Sequence, residues 1–276
     1  MKGSNPAPIF KRDLTNISPL VDFGRARRNR GGAKAFSKPE VYKIYKTLYD
    51  YYGTQNWWPA DSEFEVIVGA VLTQNTAWRN VEKAINNLKA KNILNLRKLA
   101  KLPTSKLSQL IRPSGFYRVK TKRLKSLLDF LITEYSGDLE KLKKQKLSLL
   151  RQQLLQVHGI GEETADSILL YALKKPVFVV DAYTKRIFSR HNYFNTNPAP
   201  IFKRHLTNIS PLVDFVRTRR NRGGANISYS AIQEFFTRNL PKSILIYQEY
   251  HALLVKLAKD YCRTKAICLN CPISAL

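Results

Sequence analysis

Residues 157–181 constrain this chain more than any other segment. The stretch VHGIGEETADSILLYALKKPVFVVD sets two glycines, a periodic apolar run, a proline, a second apolar run and one carboxylate in order. Upstream, Leu147, Leu150, Leu154 and Val157 recur at helical spacing, which predicts a helix entering the glycines with that stripe buried. Gly159 and Gly161 allow a tight reversal, and Thr164 can begin a second helix with Ala165, Ile168, Leu169, Ala172 and Leu173 on its apolar face. Lys174 and Lys175 suit the C-terminal end of that helix, and Pro176 stops it. Backbone N–H groups at a glycine turn that opens a helix have no intrahelical partner, so Gly159, Ile160 and Gly161 form a candidate anion site for a phosphate. The same residues also fit a plain helix–helix connection, with Asp181 as the N-cap of a helix over 182–190.

Charge favours a polyanionic partner. The 276 residues carry 47 Lys and Arg against 20 Asp and Glu, a formal +27, so association with DNA would depend strongly on salt. Basicity alone does not separate DNA from RNA or an anionic membrane surface. No run of about 20 apolar residues suggests a membrane span, and the first ten residues lack the apolar centre of a secretory signal. The expected location is the cytoplasm, associated with the nucleoid, and the expected state is a monomer. Three cysteines, all between Cys262 and Cys271, make no disulfide framework and point to metal chemistry or its remnant.

Residues 5–33 recur at 197–225 with only three differences, Asp13/His205, Gly24/Val216 and Ala26/Thr218. Stacked structural repeats keep a pattern while their sequences diverge, whereas these copies are near-identical and far apart. Their Pro, Asn, Gly and Arg content, without helical or strand periodicity, predicts solvated inserts. They resemble in-frame mobile-element insertions; the other reading is a duplicated Arg-rich DNA arm. Joining Thr196 to Asn226 leaves a short polar loop before an amphipathic segment at 230–239.

The remainder reads as helical. Ser62 and Glu65 make a candidate capping box, with Phe64, Ile67, Val68, Val71 and Leu72 as the buried stripe of a helix over 62–72. A further helix follows through Trp78, Val81, Ile85 and Leu88, with Thr76 suited to cap it. Arg112, Arg118, Lys120, Lys122 and Arg123 surround a Pro-Ser-Gly turn and fit either a solvated helix face or a phosphate-contacting one.

Helix, glycine hairpin, helix and Val179-Val180-Asp181, in this order and spacing, resemble the signature of the endonuclease III superfamily of helix-hairpin-helix DNA glycosylases. Trp57-Trp58-Pro59, the block FEVIVGAVLTQNTAW from Phe64 to Trp78, and RPSGFYRVKTKRL from Arg112 to Leu124 are similar to its 3-methyladenine DNA glycosylase subgroup. The resemblance spans roughly Ser37 to Cys271 apart from the insert. It implies an all-α, two-lobed fold with DNA in the cleft between lobes. By domain, residues 1–36 are expected as a flexible extension, 37–196 as the glycosylase core, 197–225 as the inserted copy and 226–276 as a C-terminal helical part packing with the N-terminal lobe.

The resemblance also assigns roles. Gly159, Ile160, Gly161, Arg118 and Lys120 would hold the DNA backbone, and Gln74 would enter the duplex where a base has left. Trp57, Trp58 and Phe64 would line an alkylbase pocket, with Lys259 beside it; Phe64 also fits the buried stripe. Asp181 would be the catalytic carboxylate. Bifunctional members carry a lysine nucleophile where this chain has Glu163, so hydrolytic base excision without AP lyase activity is expected. A modified lysine of the subgroup corresponds here to Leu253 and is not carried over. Cys262, Cys268 and Cys271 resemble the superfamily's iron–sulfur loop, normally Cys-x6-Cys-x2-Cys-x5-Cys, but the first gap is one residue shorter and only three cysteines are present. A [4Fe–4S] cluster with a non-cysteine ligand, a degenerate zinc site and no metal all stay open.

The expected function is therefore monofunctional excision of a damaged base, an alkylated purine, from double-stranded DNA. The alternatives are a bifunctional glycosylase/AP lyase of endonuclease III type, and a non-catalytic DNA-binding or insertion-disabled relative.

Overall fold

The computed structural model describes residues 38–191, 193, 227–274 and 276. Both repeat copies and the extension over 1–36 lie outside the described residues, as do the expectations made for them. Among the described residues the regular elements are helical. In chain order they are α1 (Lys38–Tyr52), α2 (Glu63–Leu72), α3 (Trp78–Ala90), α4 (Leu96–Lys101), α5 (Thr104–Leu110), α6 (Tyr117–Tyr135), α7 (Leu139–Lys144), α8 (Leu147–Gln156), α9 (Glu162–Ser167), α10 (Ala182–Arg190), α11 (Tyr229–Asn239) and α12 (Ile244–Asp260). A 3₁₀ turn, Arg112–Ser114, precedes α6, and a π-helical segment, Ile168–Ala172, continues α9. No described helix is long and apolar enough to cross a membrane.

The chain divides into two compact units. One holds, of the described residues, Thr54–Val179 and Pro241–Ala252; the other holds the described parts of Arg12–Gly53, Val180–Leu240 and Leu253–Leu276.

The first unit is built around α2. Every residue from Phe64 to Leu72 is buried, so α2 is surrounded rather than striped as its pattern suggested. It packs against α3, α6, α9 and the π-helical segment. Half of the expected capping box forms: Ser62 Oγ accepts from Glu65 N at 3.2 Å, but Glu65 Oε2 takes the N–H of Asp61 at 3.0 Å instead of that of Ser62. Several lysines of this unit serve helix ends. Lys125 Nζ donates to the carbonyls of Ala100 (2.5 Å) and Leu102 (2.6 Å) at the close of α4, and Lys175 Nζ to those of Lys143 (2.5 Å) and Gln145 (2.8 Å) at the close of α7. The last carbonyls of a helix lack intrahelical donors and sit at its negative pole, so an ammonium there is stabilising. Lys175 thus caps a neighbouring helix rather than its own, and part of the charge excess is structural.

In the second unit α1 packs on α11. Phe188 of α10 meets Phe236 edge-on at 4.7 Å and Tyr193 at 5.1 Å. Arg186 and Arg190 turn their guanidinium groups to the end of α12 and the loop after it: Arg186 Nε reaches Cys262 O at 2.7 Å, and Arg190 reaches Arg263 O at 2.6 Å and Thr264 O at 2.8 Å.

Candidate functional site

The glycine hairpin forms between α8 and α9. Leu150 and Leu154 bury the face of α8, and the turn closes with Ile160 N donating to Val157 O at 3.0 Å. Gly159 has φ +81°, and a Cβ there would lie 2.2 Å from Arg123 Cγ, so conformation and space both favour glycine. α9 begins at Glu162, two residues before the expected Thr164, because Gly161 is extended and takes the N-cap position. No side chain caps this start, which is where a phosphate would do so.

Side chains distant in sequence brace the hairpin. Gln74 Nε2 donates to Gly159 O at 3.0 Å and to Thr164 Oγ1 at 2.9 Å, while Gln74 Oε1 accepts from Arg123 Nη1 at 2.6 Å. The expected wedge is therefore held against the hairpin in this structure. Arg151 of α8 grips the fully buried Asp166 of α9 through Nε–Oδ1 at 2.7 Å and Nη2–Oδ2 at 3.1 Å, a two-point fork across the turn. Sequence reasoning missed this pair; a carboxylate beside Ala165 and Ile168, within an apolar helix, was its signal.

Lys120 requires a correction. Expected at the DNA backbone, it is 1 % exposed and gives its three donors to Leu72 O (2.8 Å), Thr76 Oγ1 (2.6 Å) and Ser114 O (2.7 Å). Burial, with the charge of Arg123 adding to it, lowers its pKa to about 8. An ammonium spent in this way does not reach a phosphate. Thr76 likewise does not cap α3, whose N-cap is Ala77, and instead donates to Ser114 O at 2.5 Å. Arg118 is exposed near the start of α6, 6.0 Å over the Tyr117 ring, and is available to an anion. Just before α6 stands Phe116, which sequence reasoning passed over. It is 66 % exposed with φ +43°, and an aromatic ring displayed on a left-handed backbone suits insertion between stacked bases.

All three tryptophans of the chain meet in the first unit. Trp57 and Trp58 lie 4.7 and 5.4 Å from Trp78, both edge-on, and Trp58 also meets Tyr171 at 5.5 Å. Trp58, Pro59 and Trp78 line a pocket of about 120 Å³, with Glu65, Glu82, Asn86 and Lys89 supplying polar atoms and Lys89 Nζ paired to Glu65 Oε1 at 2.7 Å. Among the described residues the buried Trp58 Nε1–H meets no acceptor. Gly69 leaves room for the indole, since a Cβ there would sit 3.1 Å from the ring. Of the residues expected in the pocket, neither Trp57 nor Phe64, a buried residue of α2, is among the pocket residues, whereas Trp78 is. Its signal was the side-chain chemistry it shares with Trp57 and Trp58.

Asp181 belongs to the second unit. It is 7 % exposed and caps α10, with Oδ1 accepting from Thr184 N at 2.7 Å and from Thr184 Oγ1 at 2.8 Å. Lys259 is exposed on α12, and Leu253 is buried. Cys262 is buried and its Sγ accepts from Arg190 Nη1 at 3.3 Å; Cys268 is exposed, and Cys271 is partly buried with its thiol pushed up by that burial. Among the described residues no three His, Cys, Asp or Glu side chains gather to hold a metal ion. A [4Fe–4S] cluster typically takes four ligands, so the residues as placed do not fit one.

Known proteins share this architecture. Residues 68–211 match the model of the HhH-GPD superfamily base excision DNA repair proteins. A protein of Methanocaldococcus jannaschii, named as a proposed DNA repair glycosylase, is 49 % identical over 234 residues, covering 84 % of this chain and 93 % of that one. Endonuclease III of Thermotoga maritima is 32 % identical over 133 residues, 48 % of this chain and 58 % of its own length. Among solved structures, the H. pylori 3-methyladenine DNA glycosylase bound to 1,N6-ethenoadenine aligns with TM-score 0.60 at 29 % identity, over 81 % of this chain and 98 % of that one. An endonuclease III–DNA complex aligns with TM-score 0.65 at 18 % identity, over 86 % and 93 %, and bears on the fold alone. Hairpin, aspartate and all-α fold thus agree with the family match, and the chain belongs to the HhH-GPD superfamily of base excision DNA repair proteins.

Proposed function

We propose that this DNA glycosylase is monofunctional and hydrolyses the N-glycosidic bond of an alkylated purine in duplex DNA. The observation that carries the reading is the tryptophan-walled pocket. Trp58 and Trp78 offer aromatic surface and Glu82 puts a carboxylate at the same walls, while Glu65 there is paired with Lys89 at 2.7 Å. An alkylpurine that bears a positive charge gains cation–π attraction of roughly 0.5–2 kcal/mol there beyond stacking. The similarity to a 3-methyladenine glycosylase supports the same substrate class.

The remaining parts divide the work. The amides of Gly159 and Gly161 and the exposed Arg118 hold the phosphates, the Ile160 amide being bonded to Val157 O. Phe116, and Gln74 once it leaves its bonds to Gly159 O, Thr164 Oγ1 and Arg123 Nη1, fill the gap left by the everted nucleotide, whose unstacking costs roughly a few kcal/mol and least at a damaged pair. As the base departs, positive charge grows at the sugar, and the Asp181 carboxylate stabilises it or orients the attacking water. A cationic base leaves as a neutral molecule, so departure needs no separate proton donor. Glu163 stands exposed in the first turn of α9, where the lyase mechanism needs an amine, and a carboxylate forms no Schiff base.

The test is a panel of duplexes with defined lesions, assayed separately for free base and for strand cleavage. Wild type is expected to release an alkylpurine and leave the strand intact. Asp181→Asn is expected to lower single-turnover release by on the order of 10²–10³-fold. Release unaffected by Asp181→Asn overturns the role of that residue, and a borohydride-trapped covalent adduct overturns the monofunctional assignment.

A further inference from the structure

We propose that Lys120 is a positioning residue that locks the turn carrying Gln74 and the turn carrying Phe116 into one stiff element, with Thr76 as the relay between them. The inference rests on the reading above, in which these two side chains replace an everted base.

The two turns are far apart in sequence and both adopt backbone conformations that drift unless held. Asn75 has φ +49°, Gly115 +67° and Phe116 +43°. Two of these three are not glycine, and a left-handed backbone at such positions persists only where the surroundings over-determine it. The Gln74 side chain ties the first turn to the hairpin, and one buried ammonium bonds both turns at once. Lys120 Nζ joins Leu72 O at the close of α2, Thr76 Oγ1 in the first turn and Ser114 O in the second, and these three acceptors match its three N–H groups. Thr76 Oγ1 accepts from Lys120 and donates its own hydrogen bond to Ser114 O at 2.5 Å, so the turns are joined twice. A Cβ on Gly115 would lie 3.8 Å from Thr76 Oγ1, which puts the Thr76 hydroxyl against the second turn. The lysine is itself anchored one turn into α6, where its N–H bonds Phe116 O at 3.0 Å. Burying a cation without full hydrogen bonding is costly, so the site favours the one geometry in which all three acceptors are met. That geometry fixes where Phe116 projects. Without it a displayed ring would yield when pressed against a base stack, because its turn would give way first.

Thr76→Val and Thr76→Ser separate this role from simple stability. Valine keeps the shape and removes the hydroxyl; serine keeps the hydroxyl. Amide hydrogen exchange in the free protein is expected to rise together at residues 74–76 and 114–116 in Thr76→Val, by on the order of tenfold, and to stay near wild type in Thr76→Ser. On duplex carrying 2-aminopurine beside an excisable lesion, Thr76→Val is expected to lose eversion fluorescence and single-turnover release by a similar factor. Affinity for undamaged duplex should change less than twofold. Lys120→Met is expected to loosen both turns further; if that variant does not fold, the Thr76 pair still decides. Exchange that rises in one turn only, or equally in Thr76→Val and Thr76→Ser, overturns the proposal. The exchange experiment needs no lesion, so its failure is distinguishable from failure of the assigned reaction.

Discussion

The hairpin and the aspartate are built by opposite means. Gly159 is held by Gln74, 85 positions away, and its helices are clamped by Arg151 and Asp166 across the turn. Asp181 is held by Thr184, three positions away, through that residue's N–H and hydroxyl. A backbone grip has to keep several amides in register and so recruits rigid neighbours from other elements. A single carboxylate at a helix start can be oriented by the cap that the helix provides. The difference predicts that damage to the hairpin's supports spreads, whereas damage at Asp181's support stays local.

The largest effect is expected from Asp166→Ala. Asp166 is fully buried, and its loss takes the two-point fork from the Arg151 guanidinium, whose contact with Glu162 is a longer 3.5 Å. Removing one partner of a buried ion pair costs about 3–5 kcal/mol. Because Arg151's side chain is 24 % exposed, the lower end applies. Urea unfolding should show that loss, together with weaker binding to undamaged duplex through the loosened hairpin. A loss below about 1 kcal/mol, the usual value of an exposed pair, would break the comparison on this side.

Lys120 gives a second test, read as a slope. Its folded pKa of about 8 lies below the ordinary 10.5, so between those values the unfolded chain binds a proton that the native state has released. Stability from this group therefore rises with pH across that window, by at most about 1.4 kcal/mol per pH unit. Unfolding free energy measured between pH 8 and 10.5 should climb more steeply, or fall less, in wild type than in Lys120→Met. Equal slopes would mean that the ammonium bears no net desolvation penalty.

The same contrast explains what could be read from the sequence. Local features were legible: the stripe of α8, the break after the π-helical segment, and Asp181 as the first residue of α10's cap follow from spacing and from short-range hydrogen bonds. The all-α class came with the family resemblance, while the periodicities marked individual helices. What the pattern hid was long-range. Phe64 looked as fit for the pocket as for the core, because the stripe of α2 gave no sign that neighbours close around the whole helix. Lys120 sat in a row of five basic residues from Arg112 to Arg123, and only the three carbonyl and hydroxyl oxygens assembled around it distinguish it from the exposed Arg118. Trp78 joins Trp57 and Trp58 because α2 and α3 pack together, a fact absent from any one segment.

The smallest effect is expected on the local side, from Thr184→Val. Thr184 is fully buried, and valine matches its shape while removing only the hydroxyl bond to Asp181 Oδ1; the N–H bond at 2.7 Å remains. A hydrogen bond to a charged group contributes about 1.5–3 kcal/mol, but the surviving N–H still satisfies the carboxylate in part, so the low end of that range is expected. Base release should fall several-fold because the carboxylate is less firmly aimed, while affinity for undamaged duplex and hydrogen exchange at residues 157–164 stay at wild-type values. If Thr184→Val also weakened duplex binding or loosened the hairpin, the two regions would be one coupled network, and the aspartate's support would not be local after all.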